Sequence, residues 1–214
     1  GARSSVATVP SSRKARLINT MGSAFTNSIP VLRPWLTAAG YEVFVPPDGS
    51  VEALRAVVGD GVVYYNGHGM PGRLPGSHMA LWTTTPHDSS TVRRYRAELR
   101  ATSGRLAHGV GSDDRTREGT STYESRILIT ERFIHDFWRP ASGALIYIDA
   151  CFGTDPRLLN VLQNSPVAAD AVVAWTDQPF DDLAAASARF YFDRALGDNS
   201  FAPYRNRPQR TFDA

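Results

Sequence analysis

Cysteine and lysine are nearly absent from this chain of 214 residues. Cys151 is its only cysteine, and Lys14 is the only lysine among 23 basic residues. A single cysteine excludes an internal disulfide and a cysteine-rich zinc site. No clustered set of metal ligands stands out either, so we expect no metal and no cofactor. Cys151 is therefore either a small buried hydrophobic residue or a reactive thiol.

A strong net charge and long apolar runs are missing as well. The formal net charge is only +2, which predicts neither a nucleic-acid partner nor a membrane partner. No apolar run approaches the roughly 18 residues that a transmembrane helix needs. No hydrophobic region of a signal peptide is visible in this sequence, which begins with Gly1 rather than Met. Together with the single cysteine, these observations predict a cytoplasmic protein.

The length and apolar content are those of one α/β domain, which we expect to span residues 1–214. Residues 1–13 are small and polar, and we expect them to be disordered. Strand-like and helix-like segments then alternate, which indicates a parallel sheet with right-handed crossovers. The predicted strands are 15–21, 41–45, 62–69, 144–151 and 171–175, and the predicted helices are about 28–39, 51–58, 130–138, 156–163 and 181–196.

Residues 70–125 break this pattern. They are rich in Gly, Thr, Ser, Arg and Pro, and only 92–99 has a helix-like pattern. We therefore predict a long loop or insertion between the two halves of the sheet, which is either functional or mobile.

Two strand ends carry the chemistry of this chain. Residues 62–69 read VVYYNGHG, and residues 144–151 read ALIYIDAC. Both runs are apolar on both faces, which is typical of buried parallel strands. If the two strands lie side by side, His68 and Cys151 emerge together at the carboxyl edge of the sheet, where open α/β sheets carry their sites. A thiol and an imidazole are the minimal parts of a cysteine nucleophile and its base.

Each residue alone has a plainer interpretation. A cysteine at the end of a buried strand is commonly a small hydrophobic residue, and a histidine beside glycine is commonly a surface residue. Their joint placement favours a functional pair. Chain order narrows the choice further, because all five histidines precede Cys151. This order excludes a papain-like enzyme, and Asp149 stands where the nucleophile elbow of an α/β-hydrolase needs glycine.

The YNGHG segment at 65–69, followed by IDAC at 148–151, resembles the caspase-like cysteine peptidases. This group includes caspases, metacaspases, legumains, gingipains, clostripain-like enzymes, separases and CHAT domains, and the resemblance covers roughly residues 15–200. It implies an α/β fold with a caspase-like open sheet of mostly parallel strands and helices on both faces. It also implies a cysteine endopeptidase that uses His68 and Cys151.

Placement within the group rests on short segments. Asp-Ala-Cys resembles the clostripain-like peptidases most, and an Asp two residues before the cysteine also recurs in metacaspases. The fifth strand and the helix that follows it resemble CHAT domains more closely. Residues 152–155, FGTD, match none of these subfamilies well, and the segment between His68 and Cys151 is longer than in caspases.

Two aspartates predict what the enzyme would recognise. Strand side chains alternate, so Asp149 shares a face with Cys151. In the resembling enzymes this position lines the pocket for the residue before the scissile bond, where an Asp favours Arg or Lys. Asp177 matches a second pocket aspartate of the clostripain-like enzymes. The plainer alternatives are a strand-end carboxylate that caps a backbone N–H for Asp149, and a turn or cap ahead of Pro179 for Asp177.

These residues together predict a cysteine endopeptidase that cleaves polypeptides after Arg or Lys. The backbone N–H groups of Gly69 and Cys151 would stabilise the oxyanion. The arginines of residues 104–126 make that segment a candidate for self-cleavage, although an ordinary solvated loop would look the same. The alternatives are a CHAT-like signalling module that a regulatory protein gates or that is catalytically silent, and a structural α/β domain in which His68 and Cys151 are incidental.

Overall fold

The structure, a computed structural model, describes residues 10–22, 26–71, 78–100, 102–113 and 122–197. Strands and helices alternate along most of this length. In chain order the elements are β1 (Lys14–Asn19), α1 (Ile29–Ala38), β2 (Glu42–Phe44), α2 (Val51–Arg55), β3 (Val62–Asn66), β4 (Gly69–Met70), β5 (Ala80–Pro86), α3 (Ser89–Arg94), β6 (Leu106–Asp113), β7 (Thr122–Thr130), α4 (Glu131–Phe137), β8 (Leu145–Asp149), α5 (Pro156–Gln163), β9 (Ala171–Ala174) and α6 (Asp181–Ala195).

The main sheet is parallel, as predicted. Its five strands lie in the order β2-β1-β3-β8-β9. The strand that precedes His68 and the strand that precedes Cys151 are therefore direct neighbours, and Asn66 pairs with Asp149 at their carboxyl ends.

Helices cover both faces of this sheet, which confirms the predicted α/β layering. Alternate residues of the central strands point to opposite faces, because strand side chains alternate. Tyr64 and Tyr147 face α1 and α6, whereas Tyr65 and Ile148 face α2, α4 and α5. Because both faces of these strands are buried, their sequences are nearly continuous apolar runs.

The prediction of a long loop at 70–125 is wrong for the described residues. Here β4, β5, β7 and β6 form a second, antiparallel sheet, in that order. Its Leu81, Ile127 and Ile129 are buried in the same cluster as α2 and α4. The many Thr residues indicated a loop in the sequence analysis, but Thr is β-branched and suits a strand that has one face on a core. The predicted helix at 92–99 lies earlier, at Ser89–Arg94, because Asp88 forms a capping box.

Most helix boundaries follow the predicted caps. Thr130 caps α4, and α5 occupies the predicted residues. Two helix boundaries differ from the prediction: α2 ends at Arg55, and α6 has Phe180 at its N-cap. Near the N-terminus, the Ser11 N–H donates a hydrogen bond to the Ser142 carbonyl at 3.1 Å. The disorder predicted for 1–13 therefore does not include Ser11, and residues 1–9 lie outside the described part. Within the described ranges, no helix is long and apolar enough to cross a membrane.

Candidate functional site

The site lies where β3 and β8 end side by side. The Gly67 N–H donates to the Asp149 carbonyl at 3.1 Å and extends the pairing beyond the strands. Gly69 then packs directly on Cys151, because a Cβ atom at Gly69 would overlap the Cys151 carbonyl oxygen. A Cβ atom at Gly67 would likewise overlap the Thr20 hydroxyl. The two glycines beside His68 thus allow close packing, with Gly69 on the Cys151 backbone and Gly67 on Thr20.

Strand β5 of the antiparallel sheet also contacts His68. The His68 carbonyl accepts a hydrogen bond from the Trp82 N–H at 3.1 Å, and the Tyr65 hydroxyl lies 3.2 Å from the same oxygen. The imidazole and the Trp82 indole meet edge to face, with ring centroids 5.2 Å apart and an interplanar angle of 67°. Strand β5 therefore contacts both the backbone and the ring of His68.

Cys151 begins a tight turn that ties the end of β8 to the end of β9. Phe152 has a φ of +56°, in the left-handed region that a bulky residue rarely adopts. Its N–H donates to the Asp177 carbonyl at 3.3 Å, and the Thr154 N–H donates to the Trp175 carbonyl at 3.0 Å. These bonds hold the strained turn in place and leave Cys151 half-buried.

Burial raises the pKa of the Cys151 thiol, and the negative charges of Asp177 and Asp149 raise it further. The backbone N–H groups of Cys151 and Gly69 oppose this pKa shift, because both can donate to the thiolate sulfur. These are the two amides that the sequence analysis assigned to the oxyanion. Their convergence on one sulfur means that they can stabilise negative charge that develops beside it.

Asp149 is 4% exposed, and side chains hydrogen-bond both of its oxygens. The Tyr64 hydroxyl donates to one oxygen at 2.7 Å, and the Trp175 indole N–H donates to the other at 3.0 Å. Burial raises the pKa of Asp149, and these two hydrogen bonds counteract that rise. These two hydrogen bonds to Asp149 come from side chains, whereas the plainer alternative required a backbone N–H as the donor. Each oxygen keeps a further lone pair for another donor.

Asp177 is exposed, two residues after Trp175. One of its carboxylate oxygens accepts from the Gln178 N–H at 2.8 Å, which is the turn geometry of the plainer alternative. The same carboxylate also acts electrostatically on Cys151. Asp177 follows Trp175, whose indole N–H donates to Asp149, by two residues. The site therefore has one buried carboxylate, Asp149, and one exposed carboxylate, Asp177, that act on the thiol.

Sequence reasoning missed three aromatic residues at this site. Tyr64 and Trp175 were interpreted only as apolar strand residues, although the polar atom of a buried Tyr or Trp usually has a hydrogen-bond partner, here Asp149. Trp82 gave no usable signal, because its segment was predicted to be a loop. In the described part of the chain, no group of three or more His, Cys, Asp or Glu side chains could hold a metal ion.

Replacing Gly69 with alanine is expected to separate the two strand ends. The added Cβ atom meets backbone rather than a flexible side chain, so we expect a loss of roughly 1–3 kcal/mol in the free energy of unfolding. Gly109→Ala is the matched control, since the atoms nearest to its Cβ would belong to the Leu128 side chain rather than to backbone. Urea unfolding measures both variants, and a Gly69→Ala protein as stable as the wild type would contradict the close approach.

Thiol reactivity tests the electrostatics of Cys151. Because its pKa is raised, the thiol stays protonated at neutral pH, and alkylation by iodoacetamide should accelerate as the pH rises through that pKa. Asp177→Asn removes a negative charge and lowers the pKa, so alkylation near neutral pH should be roughly two- to fivefold faster at low salt, as expected for exposed charges. Asp182→Asn is the control and should change nothing. A slower Asp177→Asn protein would reverse the assigned sign.

No protein-family model, no curated protein and no solved structure matches this chain. Its function therefore has to be inferred from its own residues and their geometry.

Proposed function

We propose that this chain is a cysteine endopeptidase with a caspase-like arrangement of its main sheet. The supporting observation is the register between β3 and β8, in which Asn66 lies opposite Asp149. His68 and Cys151 each follow two residues later, at the edge where parallel sheets carry their sites. An imidazole and a thiol brought together there have the chemistry of a nucleophile and its base.

The reaction would proceed in two steps. The Cys151 sulfur attacks the scissile carbonyl carbon while His68 takes the thiol proton, and the amides of Gly69 and Cys151 stabilise the oxyanion. His68 then gives the proton to the leaving amine as the C–N bond breaks, which leaves a thioester on Cys151. Water, activated by His68, hydrolyses that thioester and restores the thiol.

The substrate would carry Arg or Lys immediately before the scissile bond. Asp149 and Asp177 give the site two carboxylates near Cys151, and Asp149 is held rigidly by Tyr64 and Trp175. A guanidinium matches such carboxylates through charge-assisted hydrogen bonds. The supporting observation is that two acidic side chains, Asp177 and Asp149, act electrostatically on the Cys151 thiol.

A panel of fluorogenic peptides with Arg, Lys, Asp, Asn or Leu before the reporter tests activity and specificity. The Arg and Lys peptides should be cleaved, and Cys151→Ala should abolish that turnover. Asp149→Asn keeps the shape of the side chain, and it should lower kcat/KM for the Arg peptide roughly 10- to 100-fold, because hydrogen bonds to charged groups contribute about 1.5–3 kcal/mol. Turnover of the Asp peptide alone would refute the basic pocket.

Asp60→Asn is the control for this experiment. Asp60 is also a buried carboxylate, 3% exposed, but it pairs with Arg16 at the opposite end of the sheet. Its variant should retain the preference for Arg over Leu even if the fold is less stable. Equal loss of preference in both variants would assign the effect to stability rather than to the pocket.

We expect self-cleavage after Arg115 or Arg117. Arg105 is paired with Asp136, and Arg126 donates to the Thr84 carbonyl from within β7, so neither lies on a free extended segment. Arg115 and Arg117 lie outside the described residues, in the connection between β6 and β7.

Mass spectrometry of the purified protein measures this processing. We expect two fragments that separate only on denaturation, because β6 and β7 pair along their whole length. The combined Arg115→Gln and Arg117→Gln changes should give an intact chain, whereas the control changes Arg93→Gln and Arg94→Gln should not. Fragments of the same mass in the Cys151→Ala protein would show cleavage by another protease.

A partner-gated or silent CHAT-like module is the second candidate. The observation that favours it is the raised pKa of Cys151, which burial causes first and the two aspartates add to, so the isolated protein holds a poorly reactive thiol. A panel without turnover, combined with Cys151 alkylation that does not depend on His68, would support this candidate over the peptidase.

A further inference from the structure

We infer that Trp82 is a positioning residue that fixes the His68 imidazole for proton transfer with Cys151. This inference rests on the proposed peptidase function and adds to it a residue outside the parallel sheet. Trp82 belongs to β5, in the antiparallel sheet.

The backbone of Trp82 is tied to the backbone of His68. Its N–H donates to the His68 carbonyl at 3.1 Å. The Tyr65 hydroxyl lies 2.8 Å from the Trp82 carbonyl and 3.2 Å from the His68 carbonyl, so it is within donating distance of both. One buried hydroxyl of β3 therefore links β5 to the segment that carries His68.

The indole then limits how the imidazole can turn. The χ2 angle of histidine has broad wells, so its ring orientation needs an external restraint. The edge-to-face contact at 5.2 Å lies within the range in which aromatic rings attract each other. An imidazole that packs against a fixed indole keeps one ring orientation. Proton transfer over a hydrogen-bond distance requires such an orientation.

The Trp82 side chain is itself held by close packing. Trp82 is 6% exposed and packs with Ala80 and Leu128 on the face of the antiparallel sheet opposite to its main core. Its indole nitrogen is buried and has no hydrogen-bond partner among the described residues, so packing alone determines where the ring lies. This arrangement gives β5 a role in the chemistry, since the strand supplies both a backbone clamp and a ring contact.

The pH dependence of Cys151 alkylation by iodoacetamide tests the inference. His68→Ala establishes which part of the rate depends on His68. Trp82→Leu should lower the rate near neutral pH by about 10-fold, toward the His68→Ala value, because positioned general bases contribute factors of that order or more. Trp82→Phe keeps an aromatic wall and should remain within about threefold of the wild type by the same measure.

Trp138→Leu is the matched control. Trp138 is fully buried, and its indole nitrogen also has no partner among the described residues, but it lies at the end of α4, beside the Val57 segment. Its variant should lose stability by cavity formation and keep the wild-type pH profile. A Trp82→Leu protein that is folded and matches the wild-type profile overturns the inference.

NMR of the wild-type protein makes the test independent of whether a variant folds. Nuclear Overhauser contacts between the His68 ring protons and the Trp82 indole protons are expected, and their absence overturns the inference. A His68→Ala protein with the wild-type alkylation profile would instead refute the proposed His68–Cys151 chemistry. The failure of the inference and the failure of the proposed function thus give different results.

Discussion

The parallel pairing of β3 with β8 is the constraint on which the whole site depends. Because Asn66 lies opposite Asp149, the two chains leave the sheet at the same level, and the next residues meet through Gly67 and Gly69. A slip of one residue would turn every side chain of β8 to the other face. Asp149 would then lose the Tyr64 hydroxyl, and its carboxylate would be buried in the apolar cluster opposite.

The antiparallel sheet contributes to the surroundings of His68 as well as the parallel sheet. The main sheet determines the level at which His68 leaves β3. Strand β5 contacts the His68 imidazole through Trp82, and its Leu81 packs into the core shared with α2 and α4. The antiparallel sheet is therefore joined to the domain by apolar burial, and to His68 by one ring contact and one backbone hydrogen bond, so its stability and its orientation of His68 are linked.

The parts of this protein that could be predicted from sequence are those in which local pattern and burial agree. The runs at β3 and β8 are apolar on both faces, and only a central parallel strand accommodates such a run. The prediction of a loop at 70–125 was wrong for the described residues because a Thr-rich strand looks like a loop until the core that it covers is known. Trp82 and Trp175 act through contacts between segments far apart in the chain, and no spacing rule reports such contacts.

Charge connects recognition with reactivity in the proposed enzyme. Burial raises the pKa of the Cys151 thiol, and the two nearby carboxylates add to that rise, which opposes formation of the thiolate in the free protein. An Arg or Lys side chain of a substrate would bring a positive charge to Asp149 and Asp177, which removes their effect on the sulfur. The correct substrate would thus favour the reactive form of its own nucleophile, while a neutral side chain would not. Discrimination would then appear in the chemical step as well as in binding, as expected when an interaction is stronger in the transition state than in the free enzyme.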